Sequence, residues 1–175
     1  MTKNRTQKNV VNMVSRMFSH RAGKNTGKNT GKNTRKSRTY SNSSKLMEAF
    51  KKEITLVFFE NLLMVKLWHW KTHNYSTHKA TDELYTKVNE GMDKFMEVLL
   101  GKSNERINLS STKTVALKDL QEQKDFIKAI QDFKSYLVGL DKNKAMHLMS
   151  NSDLFNIRDE ILGDLNQFLY LLTLH

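Results

Sequence analysis

The chain contains no cysteine and no proline, and it has only 7 glycines in 175 residues. The lack of cysteine excludes a disulfide framework, a thiolate metal site and a cysteine nucleophile. The scarcity of proline and glycine excludes the turn-rich β folds, because those folds use both residues in their turns. No stretch approaches the roughly 18 consecutive apolar residues of a membrane-spanning helix, so we expect no membrane partner. These absences predict a helical protein.

Acidic residues are missing from the first 44 residues of the chain. This segment has six lysines and five arginines, which equals the net charge of +11 of the whole chain. Residues 45–175 carry as many acidic as basic side chains. The change in charge predicts a boundary between a basic tail, residues 1–44, and a neutral body, residues 45–175.

The basic tail contains the tetrapeptide Gly-Lys-Asn-Thr three times in succession, at residues 23–34. Its small apolar surface cannot offset the entropy lost on ordering, so we predict that the tail is disordered. Residues 10–18 are an exception, because their apolar spacing predicts a short amphipathic helix that would suit a partner. A flexible cationic segment binds polyphosphate surfaces by releasing counterions, which predicts nucleic-acid contact. The residues expected to make this contact are Lys24, Lys28, Lys32, Arg35, Lys36 and Arg38.

The body shows the three- and four-residue spacing of apolar side chains that is typical of amphipathic helices. Ser43 or Ser44 is the expected cap of the first helix, and Asp153 that of the last. Four long helices without a strand pattern predict an all-α four-helix bundle. The predicted helical segments are 45–71, 78–100, a short helix over 115–122, 124–140, a further turn within 142–150, and the last helix.

The second predicted helix carries two carboxylates whose direction follows from helical geometry. Val88, Met92 and Leu99 mark its buried face, and Asp93 and Glu97 project together from the flank or outer side, one turn apart. Such a pair suits a hard or borderline cation, although most exposed pairs are simply solvated. Because these carboxylates point out of their own bundle, they would meet other ligands between two subunits.

Further ligand candidates lie close by in the sequence. Asp82 projects to the same side of the second helix as Asp93 and Glu97. His69 and His78 add imidazole nitrogens, which suit iron, zinc or manganese better than calcium. A packed or hydrogen-bonded core histidine is the alternative interpretation of His69. Glu160 and Asp164 in the last helix form another one-turn pair, which would be an alternative ligand pair inside the bundle.

This arrangement resembles the Dps branch of the ferritin-like superfamily. The last helix and the short predicted helix before the third long one are also similar to that family. The resemblance covers most of residues 46–174. It is carried by Leu67-Trp68-His69-Trp70-Lys71, by His78 and Asp82, and by Asp93 and Glu97 at eleven and fifteen residues beyond Asp82.

The resemblance implies a four-helix bundle that forms homo-oligomers, from a dimer up to a hollow shell, and oxidises ferrous iron at sites shared by two subunits. His69, His78 and Asp82 would come from one subunit, and Asp93 and Glu97 from its mate. Peroxide or oxygen would be the oxidant, with no catalytic residue beyond the metal ligands. Zinc and manganese are alternative metals.

The resemblance also has implications for the tail and for the tryptophans. Some Dps-like proteins condense DNA with a basic, flexible N-terminal tail, and Trp68 and Trp70 would orient the ligands. The lysine- and asparagine-rich composition is similar to ferritin-like proteins of large DNA viruses, which implies an alternative: a non-enzymatic DNA-associated or virion structural protein that keeps the fold. A helical interaction module directed to an acidic partner is a third interpretation.

Several locations are compatible with these functions. We expect the protein in the cytoplasm, on the nucleoid or other DNA, or packaged in a virion. Import into an organelle is a minor alternative, because acid-free tails with arginine and serine resemble transit peptides. A merely solubilising tail fits the same composition.

Overall fold

The computed structural model describes residues 33–174, and side chains from residue 42 onward. The chain divides into two units, Met1–Arg35 and Lys36–His175, and the second contains the body. The described part is all-helical, as predicted, and has no strand. Its four long helices are α1 (Asn33–Lys71), α2 (Tyr75–Ser103), α3 (Gln123–Gly139) and α4 (Ser152–Leu171), with short 3-10 turns at Leu140–Lys142 and Met146–Leu148.

The first helix is longer than the sequence predicted. Because α1 begins at Asn33, Ser43 and Ser44 lie inside it and do not cap it, and the part of the predicted disordered tail from residue 33 to 44 is helical. Neither proline nor glycine occurs within α1. A helix that is already formed by its buried face extends at little cost through such residues. The rest of the predicted disordered tail lies outside the described residues.

Residues 104–122, which connect α2 to α3, contain no helix. The predicted short helix over 115–122 is therefore wrong. This connection follows the length of α1. Because an extended chain covers about 3.3 Å per residue against 1.5 Å in a helix, it spans that length with fewer residues than a helix would need. Its contacts with α1 include the Lys51–Glu105 ion pair, the Lys52 Nζ bond to Ser111 Oγ at 2.9 Å, and the Lys71 Nζ bond to the Leu120 carbonyl at 3.0 Å.

Aromatic contacts in the core define the relative directions of the helices. Phe58 of α1 makes edge contacts with Phe95 of α2 and Phe133 of α3, with ring centroids 5.6 and 6.4 Å apart. Trp68, further along α1, stacks on Phe126, which comes earlier in α3, at 4.8 Å. These contacts run in opposite order along the two helices, so α1 and α3 are antiparallel. A short turn makes α1 and α2 antiparallel as well.

Ion pairs and one close approach place α4 beside α2. Lys102 pairs with Asp153 at 2.8 Å and Lys94 with Glu160 at 3.1 Å, which makes the two helices antiparallel. A Cβ on Gly91 would lie 2.6 Å from Ile161 Cγ1, so the lack of a side chain at Gly91 permits this packing. The described residues thus form two antiparallel helix pairs, joined by one long crossover.

Two sequence predictions about α4 are wrong. Asp153 lies in the first turn of α4, and Asn151 occupies the cap position without a side-chain cap bond. The proposed interior ligands Glu160 and Asp164 lie at the surface against α2, where Asp164 faces Lys87 at 3.7 Å. Lysines on a neighbouring helix compete with a metal ion for such carboxylates. The sequence of one helix does not reveal which lysines of another helix lie against it.

In the part of the chain that the structure describes, no helix combines the length and the apolar character needed to cross a membrane.

Candidate metal site

Two histidines meet where the turn between α1 and α2 brings the helix ends together. His69 lies in the last turn of α1 and is 8% exposed, and His78 lies in the first turn of α2. Their rings stack with centroids 3.9 Å apart and planes inclined by 23°. Nδ1 of His69 lies 3.1 Å from the carbonyl oxygen of His78, and Nδ1 of His78 lies 3.0 Å from the carbonyl oxygen of His69. Each imidazole therefore makes a hydrogen bond to the backbone carbonyl of the other histidine.

These reciprocal hydrogen bonds determine the tautomers of both rings. A carbonyl oxygen only accepts, so Nδ1 of each ring carries a proton and donates it. In the neutral imidazole this leaves a lone pair on Nε2 of His69 and of His78. Metal-binding histidines usually donate their other ring nitrogen to a carbonyl or carboxylate in this way. Nε2 of each imidazole can thus accept a hydrogen bond or bind a cation.

Thr81, which the sequence analysis did not single out, supports this arrangement. Its side chain is completely buried, and its hydroxyl lies 2.8 Å from the Thr77 carbonyl and 2.9 Å from the His78 carbonyl. The same hydroxyl lies 3.3 Å from His69 Nδ1 and restricts rotation of that ring. Its position three residues after His78, on the same side of a helix, is the signal that would have identified it.

Asp82 adds a carboxylate to the two imidazoles. Its Oδ1 lies 3.8 Å from Nε2 of His69, and its side chain is 52% exposed. When His69 is neutral, no hydrogen lies between these two electron-pair donors, and a cation stabilises such an arrangement. Two ligands with bonds of about 2.1 Å to one ion can be this far apart. The distance between His69 and Asp82 is therefore compatible with a shared cation.

Asp93 and Glu97 lie elsewhere on α2. Both are exposed, as their outward direction predicted, and they are one turn apart. Asp93 is about 16 Å further along the helix axis than Asp82. Within residues 33–174 no group of three or more His, Asp or Glu side chains is arranged to hold a metal ion. The structure thus places His69 beside both His78 and Asp82 and leaves Asp93 and Glu97 apart from them.

An apolar stripe on α1 adjoins the histidine pair. Phe59, Leu63 and Trp70 recur at helical spacing and are exposed, Trp70 by 68%. Trp68, in contrast, is buried in the core. Lys66 on the same side of α1 lies 4.5 Å above the ring of Tyr85 on α2, which places the stripe beside the outer face of α2. Exposed apolar surface of this kind is typical of interfaces.

The predicted nucleic-acid contacts fall partly within the described residues. Arg35, Lys36 and Arg38 belong to the first turns of α1. Lys24, Lys28 and Lys32 lie outside the described residues.

Comparison with known proteins gives one match. Residues 69–172 match the profile of DUF5856, described as a family of unknown function. The matched region begins at His69 and contains all five predicted ligands. No curated protein and no solved structure matches the chain.

Proposed function

From the premise that the chain belongs to the DUF5856 family, we propose that it is a Dps-like protein that binds ferrous iron and oxidises it between two subunits, with a basic tail that contacts nucleic acid. His69, His78 and Asp82 of one subunit and Asp93 and Glu97 of its mate would hold the iron. The observation that carries this proposal is the reciprocal pair of histidine hydrogen bonds, which leaves a lone pair on Nε2 of both rings, with Nε2 of His69 3.8 Å from the exposed carboxylate of Asp82.

We call His69, His78 and Asp82 one half-site, and Asp93 and Glu97 the other. The two half-sites lie apart along one face of the subunit, and this separation supports a site shared by two subunits. A two-fold axis between them would bring each half-site of one copy to the complementary half-site of the other. The contact between Phe58 and Phe95 places Phe59 level with Asp93, and Trp70 lies beside His69 at the opposite end. The apolar stripe of α1 therefore runs between the two half-sites, where a second copy would cover it.

The path of the chain also supports the resemblance to ferritin-like proteins. Those folds are four-helix bundles with one long crossover connection. Here residues 104–122 run along α1, so α2 and α3 point the same way while α1 and α4 are antiparallel to both.

The chemistry of such a site is simple. Carboxylates and imidazoles bind Fe(II), the substrate, and favour the more highly charged Fe(III). Two Fe(II) ions give one electron each to one hydrogen peroxide molecule, which takes up two protons and becomes two water molecules. The protein's own residues bind and position the iron.

Anaerobic Fe(II) titration of the full chain, followed by peroxide addition, tests this function. We expect saturable binding of about one or two Fe(II) per subunit and rapid oxidation. Both are lost in the Asp93→Ala/Glu97→Ala variant, because two of the five ligands are gone. The matched control is Glu122→Ala/Asp125→Ala, which removes two exposed carboxylates near the start of α3 and keeps wild-type binding. Background-level binding by all three proteins would disprove the iron function.

One observation favours the second candidate, a structural protein that keeps the fold without redox activity. A metal ion lies close to the plane of the imidazole that binds it, and the rings of His69 and His78 are stacked rather than convergent. Both rings bind one ion only if one of them turns. In this case the titration gives background-level binding while the tail still contacts nucleic acid.

The tail contact has its own test, in the salt dependence of binding to duplex DNA by the full chain. Replacing Lys24, Lys28 and Lys32 by glutamine removes up to three phosphate contacts. The slope of log affinity against log salt is then expected to become shallower by about 0.9 per lost contact. The control variant Asn25→Gln/Asn29→Gln changes the same repeats without changing charge and keeps the wild-type slope. An unchanged slope in the lysine variant would argue against the tail contact.

A further inference from the structure

A groove of 960 Å³ lies at the end of the bundle where α2 begins and α4 ends. Tyr75 and Leu174 line it and are 77% and 53% exposed. Ala80 and Leu172 add further apolar surface. Large exposed apolar side chains gathered in one groove are typical of a surface that binds another chain.

The charges around the groove favour a basic occupant. Lys87 lies 2.9 Å from Glu83, which also lines the groove, and 3.7 Å from Asp164, which lies just outside it, so two carboxylates surround one ammonium group. Asp82 also lines the groove, and Lys79 is the other cation there. The last turn of α4 has no basic residue, and its carbonyl groups give that end of the helix a partial negative charge.

Residues 10–18 have the chemistry that this groove requires. Val10, Val14 and Met17 recur at helical spacing, which gives one apolar face. Arg16 within the segment and Lys8 before it are basic, and the whole tail lacks acidic residues. Neither the metal site nor the nucleic-acid contact makes use of this apolar segment.

The length of the intervening chain indicates which copy supplies the segment. α1 begins at Asn33, and the groove lies at its far end, about 57 Å away along the helix. Residues 19–32 separate the segment from α1, and even a fully extended chain of this length spans at most about 50 Å. Docking in the same copy would need more than this length, whereas the groove of a neighbouring copy has no such restriction.

We propose that residues 10–18 of one copy dock in this groove of another copy. The apolar face of the segment covers Tyr75 and the leucines, and its basic side chains approach the carboxylates at the rim. Docking links the two copies and leaves the Gly-Lys-Asn-Thr repeats between them free to contact nucleic acid. This inference does not depend on the metal site.

The lack of native cysteine makes cross-linking a direct test with the full chain. One variant carries Met17→Cys and a second, of different mass, carries Thr86→Cys in the groove. After mixing and mild oxidation, we expect a disulfide-linked product of one chain of each kind. The control partner carries Val138→Cys, which is also at an exposed position but at the opposite end of the bundle, and forms this product at least tenfold more slowly. No product with Thr86→Cys, or equal rates with both partners, would overturn the proposal.

A second pair of variants tests the apolar face itself. Adding Val14→Asp to the Met17→Cys chain is expected to reduce the cross-link with Thr86→Cys to the level of the Val138→Cys control. Adding Thr26→Asp introduces the same charge outside the segment and leaves the cross-link intact. Equal loss in both variants would show that general charge attraction, and not docking of residues 10–18, brings the chains together. The body is unchanged in all of these Met17→Cys chains, so misfolding does not confuse the result.

Discussion

Mixed dimers of two inactive variants are expected to recover about half of the wild-type Fe(II) binding, because a site shared across a two-fold axis takes one half from each subunit. One variant carries His78→Gln/Asp82→Asn and the other Asp93→Ala/Glu97→Ala. Neither binds iron as a homodimer. In the mixed dimer, one of the two sites combines the intact half of each chain, and the other site has no intact half. Two different affinity tags allow the mixed dimer to be isolated before titration.

The control for this experiment places all four substitutions in one chain and pairs it with a wild-type chain. That mixed dimer contains the same set of substitutions, yet each of its sites lacks one half, so we expect no recovery. The reverse pattern, binding by this control and none by the first mixed dimer, would show that all ligands of a site come from one subunit. Recovery in the first and none in the second would assign the half-sites.

Replacing Phe126 by alanine is expected to lower the free energy of unfolding by about 3–5 kcal/mol. Phe126 is completely buried and joins three helices, since its ring stacks on Trp68 of α1 at 4.8 Å and meets Phe168 of α4 edge-on at 5.9 Å. Alanine would leave a cavity at this junction, which the rigid helices close only in part. Urea unfolding, followed by far-UV circular dichroism, measures the change.

The matched variant Phe126→Leu keeps most of the apolar volume and is expected to cost about 1–2 kcal/mol. The difference between the two substitutions reports the cavity and the lost ring contacts, because both change the same buried position. If alanine cost no more than leucine, Phe126 would not hold α1, α3 and α4 together as the structure indicates. Since Trp68 precedes His69 directly, Phe126→Ala is also expected to weaken Fe(II) binding more than Phe126→Leu does.

Local periodicity carried most of the fold prediction. The apolar face of α2 predicted from the sequence, from Leu84 to Leu99, is the face that the structure buries. The errors occur where local signals are weak: α1 extends past Ser43 because no residue stops it, and residues 115–122 stay extended because they must follow the length of α1. Aspartate is one of the residues that commonly cap helices, yet α4 begins at Ser152, one residue before Asp153.

For the candidate site, the sequence alone provided the residue types and the outward direction of Asp93 and Glu97, since helical geometry at 100° per residue depends only on position in the chain. It also determined the charge of the tail and the helical class. Tertiary structure alone decided the stacking of His69 on His78, their tautomers, the supporting hydroxyl of Thr81, and the groove between α2 and α4. These features depend on contacts between residues of different helices. Such contacts form only when the packed core brings the helix ends together.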